Sequence, residues 1–218
     1  MSTEKPLVGI GACLMGAAVR YSGDSKRKNP HIESMKAHFS FKSLCPEVAI
    51  GLGVPRETIR LVGDVNELKL MDSRSQTVDY TDPMKDYARR IATQYSDFSG
   101  YVLVKGSPSC GGERVKRYNN KGNVQATDGM GLFAAELQAY DPLLPMEEDG
   151  RLNDHQLREN FVARVYAYHD WKTVSATPMT HKTLIDFWSR YKYMVMSHSI
   201  GHYKSIGRLL ANHEKREF

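Results

Sequence analysis

The chain has 218 residues, of which 41% are hydrophobic and 25% are charged, and its net charge at pH 7 is +5. This composition is ordinary for a globular protein of one or two domains and excludes a low-complexity chain. No apolar run approaches the roughly 18 residues that a membrane helix needs, and the N-terminus lacks the layout of a signal peptide, so we expect a cytoplasmic protein without a membrane segment.

Strands and helices alternate in the predicted pattern of the first two thirds of the chain. Short apolar runs predict the strands, and amphipathic or apolar segments between them predict the helices. The predicted strands are 6–13, 39–45, 58–63 and 100–106, and the predicted helices are 28–39, 81–98 and 131–140. This alternation predicts an α/β fold with an open, mainly parallel sheet and flanking helices.

Two of these helices carry start signals. Asn29 precedes Pro30, and this pair predicts an N-cap followed by the first helical position. Asp82 is predicted to cap the helix over 81–98, with Pro83 in its first turn.

The segment over 141–154 predicts a domain boundary, because it combines two prolines, an acidic run and a glycine. After this segment, helical patterns cover 154–171, 180–198 and 199–215. We therefore predict two domains, an α/β domain over 1–146 and a smaller all-α domain over 151–218.

The excess positive charge lies in the predicted helical domain. Residues 151–218 hold 11 Lys and Arg against 6 Asp and Glu, whereas the first 150 residues hold equal numbers. A basic segment interleaved with aromatic residues is typical of a surface that binds a polyanion such as RNA. A solvated helix face over an aromatic core predicts the same pattern, so both readings stay open. The candidate RNA-binding residues are Arg158, Arg164, Lys172, Arg190 and Lys192.

Each of the three cysteines falls at the carboxyl end of a predicted strand, in a loop rich in Gly and Pro. Because the carboxyl ends of parallel strands meet at one edge of a sheet, Cys13, Cys45 and Cys110 are candidates for a shared metal site. Thiolates bind zinc and iron–sulfur clusters, but the Cys-x-x-Cys spacing of a zinc ribbon is absent. The spacing alone leaves a cluster, a zinc ion and no metal open.

Three polar residues lie beside these cysteines. Glu47 follows Cys45 by two residues, and Ser107 and Ser109 precede Cys110. A carboxylate and a hydroxyl beside an open metal site supply a proton carrier and a hydrogen-bond donor. Ordinary loop chemistry explains the same residues.

Several motifs resemble those of the bacterial thiouracil desulfidase family. The resemblance covers roughly residues 6–145 and rests on ACLMG, VRYSGDSKR, CPEVAIGLGVPRETIRLVG and KGSPSCGGERVKRYN. The later segments GRLNDHQLRENFVARVYAYHDW and HSIGHYKSIGRLLA resemble a helical domain that is often fused behind it. Two-domain members of this kind act on 4-thiouridine in tRNA.

The resemblance implies the cofactor and the catalytic residues. It implies a [4Fe–4S] cluster with one open iron and three cysteine ligands, Cys13, Cys45 and Cys110. It also implies an acid/base at Glu47 and a catalytic serine in the SPSC motif, where we favour Ser107 over Ser109. The chain departs from the family pattern at RYSGDSKR and HSIGHY, and it ends at Phe218, earlier than is usual in two-domain members.

The implied reaction converts 4-thiouridine in tRNA to uridine without redox chemistry and releases hydrogen sulfide, so tRNA and a thiolated pyrimidine are the expected partners. Two alternatives stay open. One is a desulfidase of free thiouracil or thiouridine, and the other is a non-enzymatic, metal-stabilised module that binds RNA or protein. The sequence predicts no oligomeric state.

Overall fold

The computed structural model describes residues 4–26, 28–64 and 67–212. The chain divides into two compact units, Met1–Val165 and Tyr166–Phe218. The division into domains over 1–146 and 151–218 stays a prediction.

The first unit contains strands and helices in alternation. Its strands are β1 (Leu7–Gly11), β2 (Ser40–Leu44), β3 (Ile59–Val62), β4 (Lys69–Asp72), β5 (Gly100–Leu103), β6 (Val115–Tyr118), β7 (Val124–Gly129) and β8 (Met146–Glu148). Its helices are α1 (Pro30–Met35), α2 (Pro46–Ala49), α3 (Thr81–Gln94) and α4 (Leu132–Tyr140), with 3-10 turns at Ala12–Met15 and Arg151–Asn153. Helix α5 (His155–Ser175) begins in this unit and ends in the second.

The central sheet has the strand order β2-β1-β5-β8, and every neighbouring pair in it is parallel. Val8 and Ile10 of β1 are fully buried in a cluster that also contains Phe161 and Val165 of α5. The α/β fold with a parallel sheet is therefore confirmed. Since the strands are parallel, the loops that follow β1, β2 and β5 all lie at the same edge.

A second sheet has the order β4-β3-β6-β7 and is mixed. The β3–β6 pair is parallel, whereas the β3–β4 and β6–β7 pairs are antiparallel. The sequence analysis missed β4, β6, β7 and β8. Strand β7 is mostly exposed and β8 lies in an acidic run, so neither carries the apolar run that predicts a strand.

The two predicted helix starts have different outcomes. The Asn29 side chain accepts a hydrogen bond from the backbone N–H of His31 at 2.9 Å, so this cap is confirmed. The prediction that Asp82 caps α3 is wrong, because the helix begins at Thr81 and Asp82 therefore lies within its first turn. The Thr81 hydroxyl accepts a hydrogen bond from the N–H of Leu70 at 2.9 Å, and this contact ties the helix start to β4.

The second unit contains helices α6 (His181–His198) and α7 (Ile200–Ala211), as predicted. Residues 213–215 of the predicted third helix lie outside the described residues. Ring pairs at 4.9–5.7 Å connect aromatic side chains within this unit, namely Trp171–Phe187, Phe187–Tyr191 and Trp188–Tyr203. These aromatic residues therefore pack against one another, although each of them stays partly exposed.

Within the described residues, no helix combines the length and the apolar character that crossing a membrane requires. The cytoplasmic location stays a prediction.

Candidate active site

The three cysteines line one cavity of about 260 Å³ at the carboxyl edge of the parallel sheet. Cys13 lies in the 3-10 turn that follows β1, and Cys45 follows β2 directly as the N-cap of α2. Cys110 lies in the loop between β5 and β6. The structure thus brings together three thiols that the sequence places far apart.

The loop that carries Cys110 is held by hydrogen bonds to Ser107. The Ser107 hydroxyl oxygen accepts from the N–H of Ser109 at 3.3 Å and from the N–H of Cys110 at 3.0 Å, and the Ser107 carbonyl accepts from the N–H of Gly111 at 2.8 Å. A side chain at Gly111 would place its Cβ only 2.7 Å from that carbonyl oxygen. The turn therefore requires glycine after the cysteine.

Burial sets the protonation state of the thiols. It raises the pKa of Cys13 and Cys45, and it raises the pKa of Cys110 well above the ordinary value, because a thiolate loses its hydration when it is buried. The Glu47 carboxylate raises the pKa of Cys110 further, whereas the ammonium of Lys26 lowers that of Cys13. These thiols therefore stay protonated until a cation binds and displaces their protons.

Glu47 is fixed at both carboxylate oxygens. It lies in the first turn of α2, and its side chain is 16% exposed. Its Oε1 accepts a hydrogen bond from Ser109 Oγ at 2.9 Å, and its Oε2 accepts from Arg56 Nη2 at 2.5 Å and Nε at 3.2 Å. The carboxylate lines the cavity beside Cys45, so it has the position that a proton carrier needs.

The two serines of the SPSC motif occupy different places. Ser107 lies on the cavity wall, whereas Ser109 is completely buried and, within the described residues, is not part of that wall. The Ser109 hydroxyl is used to hold Glu47. The structure thus gives the two serines separate tasks, and only Ser107 faces the space where a substrate can bind.

Arg56 was missed by the sequence analysis, although it lies in the VPRE segment of a quoted motif. Its side chain is only 7% exposed, and its guanidinium is the charge partner of Glu47. A buried carboxylate needs a compensating cation. That need could have directed attention to the nearest arginine in the sequence.

Lys26 and Asp149 form a second charged pair that was missed. The ammonium of Lys26, on the cavity wall, lies 2.9 and 3.2 Å from the carboxylate oxygens of Asp149. The same carboxylate accepts the backbone N–H of Lys105 at 2.8 Å. Asp149 therefore connects the loops after β1 and β5, and no local pattern in the sequence predicts this.

Glu148, the neighbour of Asp149, holds the loop of Cys110. Its Oε1 accepts the backbone N–H groups of Gly112 at 2.9 Å and Glu113 at 3.3 Å. The acidic run that contributed to the predicted domain boundary therefore contains two carboxylates that position the loops of the site.

The five candidate RNA-binding residues do not lie on the cavity wall. Arg158 donates to the carbonyl of Leu152 at 2.8 Å, and Arg164 lies 4.0 Å from the carboxylate of Glu147. Burial lowers the pKa of Arg164. Both arginines therefore make contacts within the first unit.

The other three candidates belong to the second unit. Arg190 pairs with Asp170 at 2.7 Å. Lys172 and Lys192 lie over neighbouring tyrosine rings, with the ammonium 4.7 and 5.1 Å from the ring centres. Their role in binding RNA stays a prediction.

The donor set of the cavity suits a cluster better than a single ion. In the described residues, no group of three His, Cys, Asp or Glu side chains is arranged to hold one metal ion. A four-iron cluster spreads its thiolate ligands over different irons, so its ligands stand farther apart than the ligands of a zinc ion. Three thiols around one cavity, of which Cys13 and Cys110 are buried and Cys45 is partly exposed, fit this requirement.

Comparisons with known proteins agree with this chemistry. The model of the family described as 2-thiouracil desulfurase matches residues 8–149. The solved structure of a [4Fe–4S]-dependent thiouracil desulfidase, TudS, is 27% identical and has a TM-score of 0.57, over 72% of this chain and 99% of that chain. No curated protein matches the chain significantly. The family match contains all three cysteine loops and ends before α5.

Proposed function

The chain belongs to the 2-thiouracil desulfurase family, and from this premise we propose that it is an iron–sulfur-dependent thiopyrimidine desulfidase. The reaction exchanges the thiocarbonyl sulfur for oxygen from water, with hydrogen sulfide as the second product and no net electron transfer. The observation that carries the proposal is the convergence of three thiols and the anchored carboxylate of Glu47 on one cavity.

Cys13, Cys45 and Cys110 would hold a [4Fe–4S] cluster. A cluster with three protein ligands supplies a thiophilic Lewis acid at the iron that has no protein ligand. The enclosure of Cys110 and Cys13 keeps water from the ligand sulfurs on the protein side.

Glu47 is the proton carrier. Its Oε2 accepts two hydrogen bonds from Arg56, whereas its Oε1 accepts one from Ser109 and keeps a lone pair for a water molecule in the cavity. The carboxylate takes one proton from the water that attacks the ring carbon and returns it to the sulfur. It then takes the remaining proton of the new hydroxyl group as the carbonyl forms and the C–S bond breaks, and it passes this proton to the departing sulfur, which leaves as hydrogen sulfide. Ser109 and Arg56 fix the orientation of the carboxylate for these transfers.

Ser107 and Lys26 contact the substrate. The Ser107 oxygen already accepts two backbone N–H groups, so its own proton can be donated into the cavity. The ammonium of Lys26, fixed by Asp149, supplies positive charge for a carbonyl oxygen of the base or for the anionic sulfur product. These two donors orient the base so that its thiocarbonyl carbon faces the water held by Glu47.

For the natural substrate we propose 4-thiouridine in tRNA. The support is the excess of Lys and Arg in residues 151–218, which lie outside the family match at 8–149. This positive charge would attract the tRNA, which is a polyanion, and the bound tRNA would bring its thiolated base to the cavity. A base within folded tRNA has to leave its stack to enter the cavity, at a cost of a few kcal/mol.

Desulfidation of free thiouracil is the second candidate, and it is favoured by a specific observation. The thiouracil desulfidase TudS is matched over 99% of its length by 72% of this chain. TudS, a thiouracil desulfidase, therefore has no segment that corresponds to the remaining part of this chain.

Analysis of anaerobically purified protein tests the cofactor. We expect about four irons and four acid-labile sulfides per chain, because that is the composition of a [4Fe–4S] centre. Stoichiometric zinc without sulfide would contradict the proposal and favour a metal-stabilised binding module.

A substrate panel tests the activity. The loaded enzyme is given tRNA that contains 4-thiouridine, the free nucleoside and 4-thiouracil, and sulfide release is measured for each. We expect turnover of all three, with the highest kcat/KM for tRNA. Equal or higher kcat/KM for the free base would overturn the tRNA proposal and leave the desulfidase proposal intact.

A further inference from the structure

The hydroxyl group of Tyr101 is buried and, among the described residues, has no hydrogen-bond partner. Tyr101 lies in β5, and none of its surface is exposed. Nearly all buried hydroxyl groups in proteins have a partner, because an unpaired one loses the hydrogen bonds that it makes with water in the unfolded chain. The Tyr101 hydroxyl therefore indicates that an acceptor is missing.

Packing prevents this hydroxyl from turning towards solvent. The ring lies against β1 at Gly9, where a Cβ atom would come within 2.3 Å of Tyr101 Cδ2. Phe98 and Phe133 contact the ring at an angle, with centroid distances of 6.1 and 5.7 Å. Glycine at position 9 thus leaves room for the ring, and the two phenylalanines hold it.

The hydroxyl lies within electrostatic reach of all three thiols. Burial is the main cause of its raised pKa, and Cys110, Cys45 and Cys13 each raise it further. Tyr101 is not among the residues on the cavity wall, and it is fully buried, so it belongs to the packed interior beside the site.

We propose that Tyr101 donates a hydrogen bond to a sulfur atom of the bound iron–sulfur centre, either an inorganic sulfide or a cysteine thiolate. This inference rests on the proposed function. Cluster sulfides and ligand thiolates are anionic acceptors that are absent while the thiols are protonated. Hydrogen bonds to these sulfurs stabilise the centre and raise its reduction potential. Tyr101 is then a positioning residue that retains the cluster and does not contact the substrate.

A buried water molecule is the competing partner, and it makes a different prediction. A water molecule would satisfy the hydroxyl in the cluster-free protein as well as in the loaded protein. Removing the hydroxyl would then destabilise both forms. If the partner is a cluster sulfur, removal destabilises only the loaded form.

The test compares Tyr101→Phe with Tyr87→Phe. Tyr87 is the matched control, because burial raises its pKa to about 12 and it also lies within electrostatic reach of Cys45 and Cys110, yet its hydroxyl is not among the buried groups without a partner. Each variant and the wild type are measured for thermal unfolding without the cluster, for the rate of cluster loss to a chelator, and for the reduction potential of the cluster.

We expect Tyr101→Phe to lose its cluster about 2- to 10-fold faster than wild type, as the loss of one hydrogen bond implies. Its reduction potential falls, and its melting temperature without the cluster is equal to or above that of wild type. Tyr87→Phe keeps the wild-type rate and potential. Equal behaviour of the two variants in the loaded state, or destabilisation of cluster-free Tyr101→Phe, overturns the inference. A wild-type protein that binds no iron and sulfide overturns the proposed function as well.

Discussion

The cysteine-bearing edge of the parallel sheet and the surface of helices α6 and α7 are organised in opposite ways. At the edge, Glu47, Arg56 and Ser109 are largely enclosed and hydrogen-bonded to one another. In α6 and α7, none of the described residues is buried. The candidate catalytic groups therefore lie where tertiary contacts fix each side chain. The lysines and arginines of α6 and α7 lie on helices whose side chains are not buried.

This difference implies different responses to mutation. A substitution at the edge removes a group whose neighbours cannot replace it, because each is already engaged. A substitution of a surface lysine removes one charge of several, and the others keep most of the field. The predictions below use this contrast, from the largest expected effect to the smallest.

Cys110→Ala gives the largest effect. We expect loss of the cluster and of desulfidase activity to the uncatalysed level, because the cavity provides no fourth thiol to replace the ligand. Iron and sulfide analysis with an activity assay measures it. A variant that keeps four irons and wild-type turnover would remove Cys110 from the ligand set.

Glu47→Gln is expected to keep the cluster and to lower turnover by about 10²- to 10⁴-fold, which is the usual contribution of a general acid–base group. The variant keeps the size of the side chain and removes its ability to accept a proton. Glu113→Gln is the control, since that carboxylate is half exposed and makes surface ion pairs with Arg114 and Arg151. Equal kcat for the two variants would assign Glu47 a structural role.

The two serines are separated by Ser107→Ala and Ser109→Ala. We expect the first to lower kcat by about 10²-fold, as the loss of a donor to the reacting group does. The second should lower kcat by about 10-fold, because it removes one hydrogen bond to the Glu47 carboxylate. The kcat of each variant is measured on the free base and compared with that of the wild type. A larger loss for Ser109→Ala than for Ser107→Ala would exchange the roles of the two serines.

The smallest effect on folding is expected from the pair Lys182→Gln and Lys204→Gln. Both lysines are exposed on α6 and α7, so the free energy of unfolding should change by less than about 0.5 kcal/mol per site. Binding of tRNA should weaken, and the log–log salt slope should fall by about 0.7 to 0.9 for each lost phosphate contact.

The control for that pair is Lys116→Gln with Lys121→Gln, two exposed lysines within the family match. Turnover of the free base should stay at the wild-type level in both pairs. An unchanged salt slope for the α6 and α7 pair would end the argument that these helices bind RNA.

Local patterns were enough for much of the fold. Strands β1, β2, β3 and β5 were predicted because each carries its apolar residues in one short run. Helices α1 and α3 to α7 were predicted because their apolar spacing or their flanking residues are local signals, whereas the four-residue helix α2 was missed. Strand β8 was missed because Glu147 and Glu148 look like solvent-exposed residues, and only their contacts with Arg151 and the loop after Cys110 make burial possible.

For the site, the sequence by itself determined which loops carry the cysteines and that Glu47 lies beside one of them. Tertiary structure decided which groups contact one another. The hydrogen bond between Ser109 and Glu47 joins residues 62 positions apart in the chain. The one between Lys26 and Asp149 joins residues 123 positions apart. Contacts over such separations depend on how the strands pair in the sheet, so they leave no periodic trace in the chain.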